Sequence, residues 1–138
     1  MQHAFPVTKS GLSYAIFVCG RPPVDGAKFF TQNKDEFQVG VFERPAGYEV
    51  KAHQHPERKE TITRTTEFLY VEKGRAKVTI FDEDWKMLHE QEVVTGDFLV
   101  FFRGGHHLVM LEPTRLVEVK QGPYGGDTGA NKIYKIAS

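Results

Sequence analysis

One cysteine in 138 residues, Cys19, leaves no internal disulfide and no Cys-x-x-Cys zinc or redox pattern. That scarcity fits a reducing compartment. An excess of charge of one sign is also missing, since Lys plus Arg and Asp plus Glu each number 18. Nucleic acid or an acidic membrane is normally met by a basic excess, so neither is expected as a partner. No eighteen apolar residues run together, and Met1 to Pro6 lacks the basic and then apolar character of a leader. The expectation is a soluble cytoplasmic protein. Helical periodicity is scarce as well, whereas short alternating or wholly apolar runs recur between Gly, Pro and Asp punctuation.

What the chain does have is aromatic bulk: 11 Phe, 5 Tyr and 1 Trp within a 40% hydrophobic composition. A chain of this length buries roughly two-thirds of its unfolded surface, so one self-sufficient domain over residues 1–138 is expected. Strands are predicted at Ser13 to Cys19, Ala27 to Gln32, Phe37 to Glu43, Tyr48 to His55, Glu67 to Val71 and Arg75 to Phe81. Further strands are predicted at Leu88 to Val94, Phe98 to Phe102, His107 to Leu111, Leu116 to Lys120 and Lys132 to Ile136. Eleven short strands without crossover helices point to an all-β antiparallel sandwich or barrel. The polar stretch Pro56 to Thr66, with its Glu57-Arg58-Lys59-Glu60 cluster, reads as a solvated loop.

A few residues could carry chemistry. His53 and His55 stand two apart, and in a strand that spacing sends both rings to one face, where they form half a metal site or a pair on a solvated surface. Glu67 shares a period-two face with Leu69 and Val71. A carboxylate on such a stripe needs a partner or a metal, unless its head reaches water or pairs with Arg64 or Lys73. Alternation puts His107, Val109 and Leu111 on one face and His106 on the other, which leaves His106 as a surface or supporting residue. The same rule turns Glu49 and Lys51 to the side of His53 and His55, where a lysine near a metal could serve acid–base work; a place at the barrel rim would instead turn Lys51 to solvent. Tyr124, after Gly122-Pro123, could fold over the mouth or simply pack its ring.

Two spaced patterns carry a resemblance. Gly47, five residues, His53-Gln54-His55, then Glu67, six residues and Gly74 resemble the first cupin motif; Gly96, five residues, Phe102, Gly104, two residues and His107 resemble the second. Eleven residues separate His55 from Glu67, and Phe102 stands where the second motif usually has Pro. The run Thr65 to Tyr70, the Gly104-Gly105-His106-His107 turn and Glu118 to Tyr124 are similar to a small single-domain bacterial cupin family. The resemblance implies a double-stranded β-helix, the cupin jelly-roll barrel, with its motif core over residues 37–120 and a linker and terminal strand over 121–138. It also implies one divalent transition metal, Fe, Mn, Ni, Cu or Zn, held by His53, His55, Glu67 and His107.

The functional expectation is a metal-dependent enzyme acting on a small polar molecule, a carbohydrate or organic acid, as isomerase, lyase or dioxygenase. Glu49 and Lys51 would assist proton transfer. The alternative is a binding or sensing module in which the metal anchors a small ligand without turnover. The terminal Lys132 to Ile136, together with Leu108 and Met110 facing away from the barrel, leads to the expectation of a homodimer, with self-covering as the other outcome.

Overall fold

A computed structural model of the chain describes residues 2–126 and 132–136. The structure is all-β: β1 (Ala4–Lys9), β2 (Leu12–Val18), β3 (Gly26–Phe29), β4 (Gly40–Glu43), β5 (Glu67–Lys73), β6 (Arg75–Phe81), β7 (Met87–Val94), β8 (Phe98–Phe101), β9 (Gly105–Met110) and β10 (Arg115–Lys120). Among the described residues no helix is long and apolar enough to cross a membrane. The strands form a five-stranded sheet in the order β1-β2-β8-β5-β10, a three-stranded sheet β7-β6-β9 and a β3-β4 hairpin. Every pairing is antiparallel.

The apolar patterns explain which strand goes where. β2 and β8 read as continuous apolar runs, Tyr14 to Val18 and Phe98 to Phe102, and such runs need cover on both faces. They receive it. Phe17, Leu69, Val71, Val78, Ile80 and Leu99 belong to one core, shared by the five-stranded and three-stranded sheets. On the other face of the five-stranded sheet, Ile16, Val18, Val100 and Phe102 pack with Phe30 and Val39 from beside the β3-β4 hairpin. From β5 onward the chain crosses back and forth between the two larger sheets, with β5, β8 and β10 in one and the β6-β7 hairpin and β9 in the other.

Nine of the eleven predicted strands have a counterpart in the structure. β1 was missed because Pro6 breaks the pattern, but a proline is tolerated on an edge strand, and β1 lies at the sheet's edge. Tyr48 to His55 is not a strand, and neither is Lys132 to Ile136. Alternation marks a segment that could pair; a ladder also needs an available edge, and neither segment lies on one. The Lys135 ammonium sits instead over the Phe81 ring, 4.8 Å from its centroid. Of the predicted linker, residues 127–131 lie outside the described residues.

The β6-β7 turn is organised by a buried carboxylate. Asp82 accepts hydrogen bonds from the backbone N–H groups of Asp84 and Lys86, and from the Lys9 ammonium at 2.6 Å. Within this turn Trp85 adopts a left-handed backbone with φ of 64°, a conformation that persists where the surroundings enforce it. Its ring packs edge-on against Phe81. The Lys9 bond, followed by those from the backbone, holds the Asp82 carboxyl below its ordinary value of 3.8. A group with a lowered folded value stabilises the fold above its unfolded value and loses that contribution as pH falls through the folded one. Asp82→Asn is therefore expected to lower the melting temperature by several degrees at neutral pH. Thermal melts across a pH series should show the gap to wild type closing below about pH 3.8.

Candidate functional site

The inner end of the sandwich holds one polar pair. Glu67 opens β5 with its side chain on the same face as Leu69 and Val71, which lie in the core. Its cross-strand neighbours are Phe101 on β8 and Lys120 on β10. The partner it finds is His106, whose Nε2 lies 3.1 Å from Glu67 Oε2. The imidazole lies flat on the Phe101 ring, with centroids 4.0 Å apart and planes within 3°. His106 thus bridges from the three-stranded sheet to the five-stranded one. The His106 hydrogen bond is the main cause that holds the Glu67 carboxyl below its ordinary range; burial opposes it, and Lys120 and Lys132 add to the lowering.

The face assignment of β9 is therefore a correction to the sequence reading. β9 is registered on β6 so that His106 faces Ile80 and Leu108 faces Val78, two buried core residues. Leu108 packs against that core and Val109 is exposed; both histidines are exposed, so the register on β6 and the stack on Phe101 are what put His106 on the core side. A one-residue slip flips every side chain of a strand, and Leu108-Val109-Met110-Leu111 is apolar in both phases, so alternation alone could not choose. The buried side of β6 decides it. The sequence signal that could have found His106 lies in that partner strand, where Ala76, Val78 and Ile80 set the core phase.

Close approach fixes where β9 begins. Gly104 has φ of +73°, and a Cβ there would run into the Phe81 carbonyl oxygen and the Tyr14 ring; one at Gly105 would meet the Trp85 ring. The Gly104-Gly105 turn thereby delivers His106 onto Phe101.

His53 and His55 lie elsewhere, on an arm. Every residue from Phe42 to Thr65 is exposed, and Glu49 to Thr66 contains no strand. Within the arm the two rings meet edge to face at 5.2 Å. The Lys51 carbonyl oxygen lies 2.7 Å from His53 Nδ1, so Nδ1 carries the proton and Nε2 presents its lone pair outward. Glu49 and Lys51 are exposed on the same arm. The alternation that would turn them toward a metal has no strand to act in, and the acid–base role assigned to them has no geometric basis. Glu57 to Glu60 is solvated as expected, with Arg58 and Glu60 paired at 3.5 Å.

Among the described residues no group of three or more His, Cys, Asp or Glu side chains is gathered in the way a metal would need. The four nearest candidates form two pairs, Glu67 with His106 and His53 with His55. Arg64, which could have partnered Glu67, instead pairs with Glu36 at 2.8 Å. Tyr124 is 69% exposed, and the Lys120 ammonium lies 5.3 Å from its ring centroid, next to Glu67's cross-strand position. The Cys19 thiol is pushed up to about 11, chiefly by burial, which leaves it no nucleophilic role near neutrality. A groove of about 430 Å³ lined by His3, Pro22, Lys28 and Phe30 sits on the outer side of the five-stranded sheet, away from the inward-facing Glu67. No protein-family model, curated protein or solved structure matches the chain.

Proposed function

We propose that the chain is a cupin-type double-stranded β-helix that binds one divalent transition metal and acts on a small polar molecule. Support for the fold comes from the crossings of the chain between two antiparallel sheets over one core from β5 to β10. The observation that carries the metal reading is the spacing of Glu67 and His106. Two donors about 2.1 Å from one ion and at right angles stand about 3 Å apart, and this carboxylate and imidazole are 3.1 Å apart. His53 and His55 supply the complementary half, two imidazoles that already meet edge to face on the arm at 5.2 Å. The donor set is then His53, His55, Glu67 and His106, with His106 in the place that the motif gives to His107.

Three imidazoles and a carboxylate are donors of intermediate softness that suit Fe(II), Mn(II), Ni(II), Cu(II) or Zn(II). Such an ion supplies Lewis acidity toward substrate oxygens or a place for oxygen chemistry. The chain's own contribution is charge and orientation. Lys120 stands across from Glu67 in the ladder, paired with Glu118 at 3.4 Å, and with Lys132 adds positive charge to the surroundings of Glu67. This favours an organic acid or a sugar acid over an apolar substrate. The Phe101 ring holds the His106 plane, and His106 in turn fixes one oxygen of Glu67. Glu49 and Lys51 are exposed on the same arm as His53 and His55, and among the described residues neither stands beside Glu67, so ligand binding without turnover is the second reading.

Elemental analysis after loading with each metal tests the proposal. Glu67→Gln and His106→Ala are each expected to weaken metal binding by about 100-fold or more, whereas His107→Ala should leave it unchanged. Retention of metal by His106→Ala together with its loss in His107→Ala would return the fourth position to His107. Because the core contains none of the four donors, chelator-treated protein should remain folded, and metal should raise the melting temperature only by mass action. Calorimetry with and without metal reads this directly.

A further inference from the structure

The groove on the outer side of the five-stranded sheet is lined by His3 and Ala4 at the start of β1, by Pro22 and Pro23 after β2, and by Lys28 and Phe30 at the end of β3. Its volume of about 430 Å³ lies within the roughly 300–1,000 Å³ of small-molecule sites. The lining holds a cation and an imidazole and no carboxylate.

Its walls are fixed by the chain itself. The backbone leaves β2 through Gly20, with φ of +74°, and Arg21, with φ of +46°. Outside glycine such a conformation persists only where the surroundings enforce it. Asp97, itself buried, accepts from the Gly20 N–H at 2.9 Å, and Glu43 accepts from the Val24 N–H at 2.8 Å. Pro22 and Pro23 are thus held between two carboxylate anchors. The His3 ring is locked as well. Its Nδ1 donates to the Cys19 carbonyl oxygen at 2.8 Å, which leaves Nε2 as an acceptor, and a Cβ at Gly20 would press on that ring at 3.1 Å. Phe30 is set edge-on against Phe98 at 6.1 Å and packs on the outer core.

Each group calls for a different part of a ligand. The proline rings and Phe30 make apolar walls suited to a flat ring. The Lys28 ammonium, 5.4 Å from the Phe30 centroid, puts positive charge at the same wall, and with no carboxylate in the lining it favours an anion. His3 Nε2 accepts from a hydroxyl or N–H. A sugar would leave the apolar walls unused, and a neutral arene would leave Lys28 unused. We infer that the groove binds a small aromatic carboxylate bearing a hydroxyl or ring N–H, its ring against Pro22, Pro23 and Phe30, its anion at Lys28 and its donor at His3. This site is separate from Glu67 and stands whether or not a metal binds there.

Nuclear magnetic resonance on the nitrogen-labelled full chain, titrated with para-hydroxybenzoate, tests the assignment. Saturable shifts are expected at the Gly20, Lys28 and Phe30 amides. Shifts that do not saturate, or that gather around Glu67 and Lys120 instead, overturn it. Lys28 is exposed, so Lys28→Met should keep the wild-type amide spectrum. The variant should bind para-hydroxybenzoate about fivefold more weakly, or worse, while its affinity for the neutral para-hydroxybenzamide stays unchanged. Equal affinity of wild type for acid and amide, or an equal loss of both in the variant, overturns the place given to the anion. Benzoate, which lacks the hydroxyl, should lose less than para-hydroxybenzoate on His3→Phe; equal losses overturn the place given to the donor.

Discussion

The bond between His106 and Glu67 ties the two larger sheets together at the polar end of the core, and several features of the chain serve to make it possible. The Gly104-Gly105 turn passes against Phe81 and Trp85 in a way that no side chain would permit. Phe101 offers a flat aromatic floor, and its own position follows from β8 being apolar on both faces. A half-buried carboxylate is tolerated there because an imidazole and the nearby Lys120 and Lys132 compensate its charge. Removing the imidazole would leave a carboxylate in a place suited to it only while the imidazole is present. The same two groups that stabilise each other are thereby held at a spacing that suits a shared ion.

Much of the fold was legible because burial on both faces and burial on one face leave different marks. Tyr14 to Val18 and Phe98 to Phe102 announced central strands, and Arg75 to Phe81 with Leu88 to Val94 announced a hairpin. Glu67 could be singled out from its phase against Leu69 and Val71. The phase of β9 could not, because its two faces are equally apolar and the information lies in β6. Nor could the state of Tyr48 to His55, since alternation describes what a strand would bury and is silent on whether an edge stands next to it.

That distinction bears on the arm. Its residues have the pattern of a strand with one apolar side, yet within a single chain that side is exposed. An amphipathic segment whose apolar side meets no surface of its own chain is informative about the surface it would match. β9 matches it in kind, being apolar, unguarded and free along one edge. In a strand, the period that turned His53 and His55 toward His106 would turn Tyr48 and Val50 to the opposite face, so donor placement and burial of the apolar side make different demands.

On the metal reading proposed above, splitting four donors into two pairs changes the energetics of binding. A pair fixed between the two larger sheets, with one imidazole stacked and one carboxylate oriented, would lose little freedom when an ion arrives, but two ligands hold a divalent metal weakly. The pair on the arm is internally arranged by the Lys51 carbonyl and lies on a segment with no buried residue. Joining them would make affinity depend on where the arm docks, so that on that reading ion binding and arm docking are linked and each strengthens the other by the same factor. A site assembled this way would discriminate by ligand count: an ion content with two donors would gain nothing from the arm, whereas one that demands four would pull it in.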